Sequence, residues 1–261
     1  MLNLFTGLCV DRTVEARFSG NLMKILMRLL GVMVLAILVF VLAGLMATWA
    51  PDRTVQQLSA RWAQAPSQFV EVNGMQVHFR DEGPRDDPVP VVLLHGTAAS
   101  LHTWDGWVED LKSQRRVIRF DLPGFGLTGP SPIQDYSIPA YVKFVAAMMD
   151  KLGVKKFDLA GNSLGGQIAW QCAYAMPERV GKLVLVDSAG YPMQSVSVPV
   201  GFRIARMPGV KNIMEYVLPR GIVAASVRNL YGEPERITPE LIDRYYDLTL
   251  REGNRKALGK R

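Results

Sequence analysis

Cysteine and histidine are both scarce in this chain of 261 residues. The two cysteines, Cys9 and Cys172, lie on either side of a long uncharged segment that is predicted to cross a membrane, so they are not expected to pair. A small fold held together by disulfides is therefore excluded. The three histidines, His78, His95 and His102, all lie in the first half of the chain, and no metal or cofactor site is predicted.

Acidic residues are outnumbered by basic ones, which gives a formal net charge of +6. Most of the excess falls in residues 191–261, which hold twelve Lys/Arg and seven Asp/Glu. These basic residues are interspersed with acidic and apolar ones, which is typical of a solvated helical surface; attraction to an anionic membrane is the alternative. No nucleic-acid partner is predicted.

Charged residues are absent from 29–49, a run of 21 positions. As an α-helix this run would be about 31 Å long, which matches the hydrocarbon core of a bilayer. A cleaved signal peptide is the alternative, but its apolar region is normally only about 7–15 residues long. Pro51 directly follows the best small-residue cleavage site, so an uncleaved anchor over residues 22–50 is favoured.

The basic residues around this run predict its orientation. Four precede it and two follow it closely: Arg12, Arg17, Lys24 and Arg28 before, and Arg53 and Arg61 after. Because positive charge is retained on the cytoplasmic side, residues 1–21 are expected in the cytoplasm and everything after residue 51 outside. The sequence thus predicts a single-pass protein of the inner or cytoplasmic membrane, held there by residues 29–49.

The remainder of the chain divides into three segments by composition. Residues 51–67 are mostly polar and are predicted to be a tether. Residues 68–190 are predicted to form the main domain, which begins with a β-hairpin because an Asn-Gly pair separates two alternating apolar runs. His78 falls in the second run and is interpreted as an ordinary strand residue. Residues 191–261 contain no strand-like run and are predicted to form a partial cap of short helices.

Buried strands are predicted in the main domain wherever short, continuous apolar runs occur, and helical runs alternate with them. This alternation predicts an α/β fold, in which a mostly parallel sheet is flanked by helices. The carboxyl ends of parallel strands lie at one edge of the sheet, where sites are usually found. Four polar residues that follow predicted strands are therefore expected at this edge: His95, Asp121, Ser163 and Asp187.

One short pattern carries the strongest chemical signal. Gly161, Ser163 and Gly165 form G-x-S-x-G between an apolar run and a helical run. A strand that turns directly into a helix strains its central residue, so the residues two positions away must be small. Ser163 would then present its hydroxyl beside the amide of Leu164, at the helix N-terminus. A glycine-rich turn without chemistry is the alternative, because this spacing also arises by chance.

Three motifs, in this order, resemble those of the α/β-hydrolase fold superfamily. They are His95-Gly96, the DLPGFG segment that runs from Asp121 to Gly126 and includes Gly124, and the G-x-S-x-G pattern. The resemblance covers about residues 66–261 and is greatest to the capped serine hydrolases, which include meta-cleavage-product hydrolases, esterases and lipases.

The resemblance implies roles for particular residues. Ser163 would be the nucleophile, and the amides of Thr97 and Leu164 would form the oxyanion hole. A serine at this position argues against haloalkane dehalogenase and epoxide hydrolase chemistry, in which the nucleophile is a carboxylate. Met207, Ile213 and Met214 in the cap segment favour an acyl or aromatic ester as substrate, with ordinary core residues as the alternative.

The sequence departs from the family pattern after the nucleophile. The triad order in the family is Ser, then Asp or Glu, then His, but no histidine follows Ser163. The chain is therefore expected to be cut within the cap and to be inactive as it stands. Asp187 is a candidate acid, with a structural aspartate as the alternative, and His102 is a remote candidate for the base.

Two classes of function stay open from the sequence. The first is a membrane-anchored serine hydrolase that acts on a small-molecule or lipid acyl substrate, with an acyltransferase as a variant. The second is a non-catalytic remnant or binding module of the same fold. A downstream reading frame with a late Asp and a Gly-His would favour the first class.

The predicted topology can be tested with reporter fusions. A phosphatase that is active only outside the cytoplasm, fused after residue 190, is expected to be active because the basic residues precede the apolar run. An inactive phosphatase together with an active cytoplasmic reporter at the same position would reverse the topology.

Overall fold

The computed structural model describes residues 12–192 and 215–260, with side chains from residue 23 onward, and the chain divides into two compact units. In the first unit, Met1–Trp49, the described part contains one helix, α1 (Arg12–Thr48). Its segment Met23–Thr48 is 26 residues long and apolar enough to span a membrane, and nearly all its side chains are exposed. A signal sequence has the same properties, so the helix is compatible with both interpretations.

The second unit, Ala50–Arg261, is built on a six-stranded sheet in the order β1-β2-β4-β3-β5-β6. Strands β3 to β6 pair in parallel, whereas β1 and β2 pair antiparallel with each other, and β2 pairs antiparallel with β4. The strands are β1 (Gln68–Val72), β2 (Met75–Glu82), β3 (Val91–Leu94), β4 (Val117–Phe120), β5 (Phe157–Asn162) and β6 (Val180–Val186). The α/β fold with a mostly parallel sheet is therefore confirmed.

The hairpin between β1 and β2 forms as the sequence predicts. Asn73 and Gly74 connect the strands with φ values of 52° and 77°. Both central residues of a type I′ turn need positive φ, which asparagine and glycine adopt most readily. The hairpin brings β2 beside β4, and its register pairs Phe79 with Phe120.

The central strands are covered on both faces. In β3, Val92 and Leu94 join the core beneath α4 and α5, whereas Leu93 joins a second cluster with Trp104 and Val108 on the other face. Successive side chains of a strand point to opposite faces, so an entirely apolar strand must have partners on both. The covering helices are α3 (Asp105–Leu111), α4 (Ile138–Lys151) and α5 (Leu164–Ala175), and a 3₁₀ turn (Leu101–Trp104) precedes α3.

The segment predicted as a tether contains a packed helix, α2 (Val55–Trp62). Thr54 caps it, with Gln57 completing a reciprocal capping box. Leu58 and Trp62 lie on one side of the helix and are buried in a cluster with Leu127 and others. The predicted tether is wrong here because two apolar residues spaced four apart suffice to dock a short, well-capped helix.

The described part of the predicted cap is helical. It contains α6 (Arg220–Leu230), α7 (Pro239–Thr249), which Thr238 caps, and α8 (Asn254–Leu258). The apolar residues within 215–218 also predict a short helix, but these residues form a turn that leads into Pro219. Met207, Ile213 and Met214, and the rest of 193–214, lie outside the described residues, as does Cys9.

Helix α7 is tied to the segment that follows α1 through one buried carboxylate. Asp247 accepts a hydrogen bond from the Trp62 indole Nε1 at 3.0 Å and an ion-pair contact from Arg53 at 2.7 Å. Trp62 is only 4% exposed, so its N–H depends on this partner. The carboxylate thus joins α2, α7 and residue 53.

We expect Asp247→Ala to lower the free energy of unfolding by about 2–3 kcal/mol, because the Trp62 N–H would be left buried without an acceptor. Asp243→Ala, one turn earlier on α7, is the matched control: its carboxylate is more exposed, and loss of its ion pairs with Arg61 and Arg220 should cost less than about 1 kcal/mol. Chemical unfolding in detergent measures both. Equal losses would contradict the role of Asp247.

Candidate active site

Ser163 lies at a sharp turn between β5 and α5. Its φ and ψ are 52° and −114°, a conformation that is strained for any residue with a side chain. Such strain is kept only where the surroundings enforce it, and it often marks functional positions. The predicted strand, turn and helix around the serine are all present.

The two glycines of the motif are there because of close backbone contacts. A Cβ on Gly161 would overlap the backbone of Gly165, and a Cβ on Gly165 would overlap the carbonyl of Leu94 at the end of β3. Helix α5 can therefore start directly above β3 and β5 only if both positions lack side chains. This close approach fixes where Ser163 points relative to the sheet.

The loop after β3 meets the turn at Ser163. A Cβ placed on Gly96 would lie 3.2 Å from the Cβ of Ser163, so this glycine packs against the serine. Thr97 follows directly and is half-buried. Leu164 is the first residue of α5, where backbone amides have no acceptor within the helix. The proposed oxyanion residues thus come from segments that meet at Ser163, and the aim of their amides stays a prediction.

The loop after β6 contacts the serine backbone. The amide of Ser163 donates to the carbonyl of Val186 at 3.0 Å, and the amide of Ala189 donates to the carbonyl of Ser163 at 2.9 Å. Asp187 lies between them with φ of 45° and is exposed. The structure therefore brings the candidate acid to the segment beside Ser163, as expected for adjacent parallel strands.

Asp121 is fully buried after β4 and accepts three hydrogen bonds. The donors are the amides of Leu101 and Leu127 and Nδ1 of His78, each at 2.8 Å. Burial alone would raise the pKa of this carboxyl, but the charge interaction and hydrogen bond with His78 outweigh it and hold the pKa well below its usual range. Its partners identify Asp121 as the organiser of these loops.

His95 also serves the loops. Its Nδ1 lies 2.7 Å from the carbonyl oxygen of Gly96, and its Nε2 accepts from the amide of Leu122 at 2.9 Å. A carbonyl can only accept, so the proton is on Nδ1. Gly124 has φ of 89° and leaves room for Ala257 of α8. His95 and Gly124 therefore both make packing or hydrogen-bonding contacts that support these loops.

The ring nitrogens of His102, the remote candidate base, contact residues other than Ser163. Its Nδ1 lies 3.0 Å from Oγ of Ser100, and its Nε2 lies 3.1 Å from the carbonyl oxygen of Trp62. Burial lowers the pKa of this imidazole to about 3, so the ring is neutral at pH 7. Its ring nitrogens hold the turn before α3 against α2.

The sequence did not reveal the environment of His78. This residue is completely buried in β2, and its Nε2 lies 2.9 Å from Oγ of Ser67 while its Nδ1 contacts Asp121. The alternating pattern of the strand gave no signal, because both neighbours, Val77 and Phe79, are buried as well. Only the antiparallel pairing of β2 with β4 brings His78 beside Asp121.

The C-terminal segment closes over these loops. A small pocket lies between the loops after β3 and β4 and the C-terminal segment, with Ala98, Phe125, Leu248 and Asn254 among its lining residues. The amide of Asn254 donates to the carbonyls of Gly126 and Leu248. The helices α7 and α8 therefore cover the edge of the sheet at which the candidate site lies.

Comparison with known proteins agrees with this architecture. A family model described as the alpha/beta hydrolase fold matches residues 89–214. A meta-cleavage product hydrolase from Pseudomonas fluorescens has a similar solved structure, with a TM-score of 0.61 at 25% identity over 74% of this chain and 66% of that one. The chain belongs to the α/β-hydrolase fold superfamily.

Two curated relatives illustrate the range of named activities. A 2-hydroxy-6-oxo-2,4-heptadienoate hydrolase of Pseudomonas putida is 30% identical over 57% of this chain and 54% of the relative. A dihydrolipoyllysine-residue acetyltransferase component of an acetoin cleaving system, also of Pseudomonas putida, is 29% identical over 95% of this chain and 66% of the relative. This chain thus spans about half to two thirds of their length.

The close contact at the elbow gives a direct test. We expect Gly165→Ala to destabilise the protein and to displace α5, because its Cβ would overlap the Leu94 carbonyl. Gly106→Ala is the matched control: this glycine also lies in a helix, α3, and its Cβ would meet nothing within 4 Å. It should raise the free energy of unfolding by about 0.5–1 kcal/mol. Thermal unfolding measures both, and a neutral Gly165→Ala would contradict the close approach.

Proposed function

We propose that this protein is a membrane-anchored serine hydrolase that acts on an ester-like acyl substrate, a small molecule or a lipid, through Ser163. The backbone conformation of Ser163 carries the proposal. A serine held at positive φ between a parallel strand and a helix is the arrangement of a nucleophile elbow. The apolar span in α1 supports a membrane anchor. The basic residues that precede the span favour a folded unit outside the cytoplasm.

The residues near Ser163 suit acyl transfer. The Ser163 oxygen would attack the acyl carbon, forming an O–C bond and a tetrahedral oxyanion. The amides of Thr97 and Leu164 would donate to that oxyanion, which places preorganised dipoles where the charge develops. The leaving alcohol would depart with a proton, and water would then release the acid. Asp187 is the proposed acid of the triad.

The base is the missing part of this mechanism. A serine hydroxyl is a weak nucleophile unless a neighbouring base takes its proton. No histidine follows Ser163 in the sequence, and the ring nitrogens of His78, His95 and His102 have the partners described above. In a well-studied serine hydrolase, loss of the base lowers turnover by about a millionfold. We therefore propose that this sequence alone is a poor catalyst.

An acyltransferase that uses the same serine is the second candidate. The relative named as an acetyltransferase component, which matches 95% of this chain, favours it. Both activities pass through an acyl-serine intermediate. They differ in whether water or another acceptor then takes the acyl group from the serine. Product analysis with and without an added alcohol or amine separates them.

Chemical rescue tests the nucleophile without the base. Free imidazole in solution should increase hydrolysis of p-nitrophenyl butyrate by the full chain in detergent, because it can take the Ser163 proton in place of a histidine. The quantity to compare is the rate above that of Ser163→Ala at the same imidazole concentration, since imidazole itself cleaves such esters.

Gly106→Ala serves as a control, because it should keep the full imidazole-dependent rate. If wild type and Ser163→Ala are equal at every imidazole concentration, while both remain folded, Ser163 is not an accessible nucleophile. That result would favour the non-catalytic alternative.

A further inference from the structure

A second serine is in contact with a histidine and an aspartate. Oγ of Ser67 lies 2.9 Å from Nε2 of His78, and Nδ1 of the same ring lies 2.8 Å from Oδ2 of Asp121. Serine, imidazole and carboxylate are therefore linked in the order that a hydrolytic triad uses. Ser67 directly precedes β1, His78 lies in β2 and Asp121 directly follows β4, so none of the three belongs to the turn at Ser163.

The partners of His78 indicate which ring nitrogen carries the proton in the neutral form of the ring. The pKa of Asp121 is held well below its usual range, so its carboxylate accepts and Nδ1 of His78 donates. With a single proton on Nδ1, Nε2 accepts a hydrogen bond from the Ser67 hydroxyl. This is the tautomer that a general base needs in order to take a serine proton.

The histidine and the aspartate of this linked group are more deeply buried than the serine. His78 and Asp121 are both completely buried, which shields their contact from water. Ser67 is only half-buried and lies just outside this dry pair. Nε of Arg80 donates to the Ser67 oxygen at 2.9 Å, which favours an oxygen that is losing its proton. One lone pair of the oxygen is left for attack.

We propose that Ser67 is a second nucleophilic serine, which accepts an acyl group from a small activated ester with His78 as its base. The Ser67 oxygen forms a bond to the acyl carbon, and its proton passes to Nε2 of His78. The bond to the leaving alkoxide breaks, and that alkoxide takes the proton from Nε2. Asp121 stays ionised and acts as a positioning residue. Water then releases the acid by the same route.

A second serine–histidine contact provides an internal comparison. Oγ of Ser100 lies 3.0 Å from Nδ1 of His102, but the other nitrogen of that ring contacts the Trp62 carbonyl rather than a carboxylate. No negative charge is therefore hydrogen-bonded to the ring to stabilise the imidazolium that forms when the base takes a proton. Ser100 is also almost completely buried. Ser100 should be unreactive where Ser67 reacts.

A fluorophosphonate probe tests the proposal on the full chain in detergent. Such a probe forms a bond from serine oxygen to phosphorus and releases fluoride with the serine proton. After digestion, tandem mass spectrometry locates the adduct. We expect an adduct on Ser67 in the wild type and in Ser163→Ala, no adduct at position 67 in Ser67→Ala, and an undiminished adduct on Ser67 in Ser100→Ala.

The same digest separates this proposal from the proposed function. An adduct on Ser163 reports on the elbow, and an adduct on Ser67 reports on the second serine, so either can fail alone. Absence of the Ser67 adduct from folded wild type and from folded Ser163→Ala would overturn the second nucleophile.

Replacement of the buried His78 risks misfolding of the protein. A thiol variant at position 67 therefore provides the independent measurement. In Ser67→Cys, a thiol paired with imidazole has a lowered pKa and is thiolate at lower pH. We expect iodoacetamide to alkylate position 67 at pH 6 about tenfold faster than free cysteine. Cys172 will not interfere, because burial raises the pKa of its thiol to about 12. A rate no higher than that of free cysteine would contradict the proposal.

Discussion

The hydrogen bonds to the buried carboxylate of Asp121 are the interactions on which the edge of the sheet with the candidate site depends. The carboxylate accepts from the turn after β3 at Leu101, from the loop after β4 at Leu127 and from His78 of β2. A buried charge is tolerated only when its hydrogen bonds are complete, so the loss of one donor would leave it uncompensated. Gly126 has φ of 53° and no room for a side chain because the carboxylate occupies that space. The loops are therefore folded around the charge.

The C-terminal helices attach to this same arrangement. Asn254 donates to the carbonyl of Gly126, and Ala257 packs beside Gly124, so α8 is docked on the loop that Asp121 orders. Asp247 then links α7 to α2 through Trp62. A change at Asp121 would consequently reach the covering helices as well as the turn at Ser163, because hydrogen bonds and close packing join these segments.

Local signals explain what the sequence could predict. The elbow and the Asn-Gly hairpin each depend on a few neighbouring residues, and both are present. The docking of α2 and the environment of His78 depend on residues far apart in the chain, such as Trp62 with Asp247. Such pairs leave no periodic pattern in the sequence, because the two partners lie far apart in the chain and periodicity reports only on neighbouring residues. The same holds for Ser67, which meets His78 only after the hairpin has formed.

Ser67 and Ser163 differ in their contacts with the three histidines of the chain. Ser163 has the strained backbone and the helix N-terminus of a nucleophile, yet all three histidines of the chain have partners other than its hydroxyl among the described contacts. Ser67 has an imidazole with an ionised carboxylate behind it, yet it lacks an elbow. Preorganised amides lower the barrier after attack, whereas a base makes attack possible, so the two features contribute to different parts of the reaction. Ser67 should therefore react with a strongly electrophilic probe, for which attack is limiting, whereas Ser163 should need an added base before its amides can contribute.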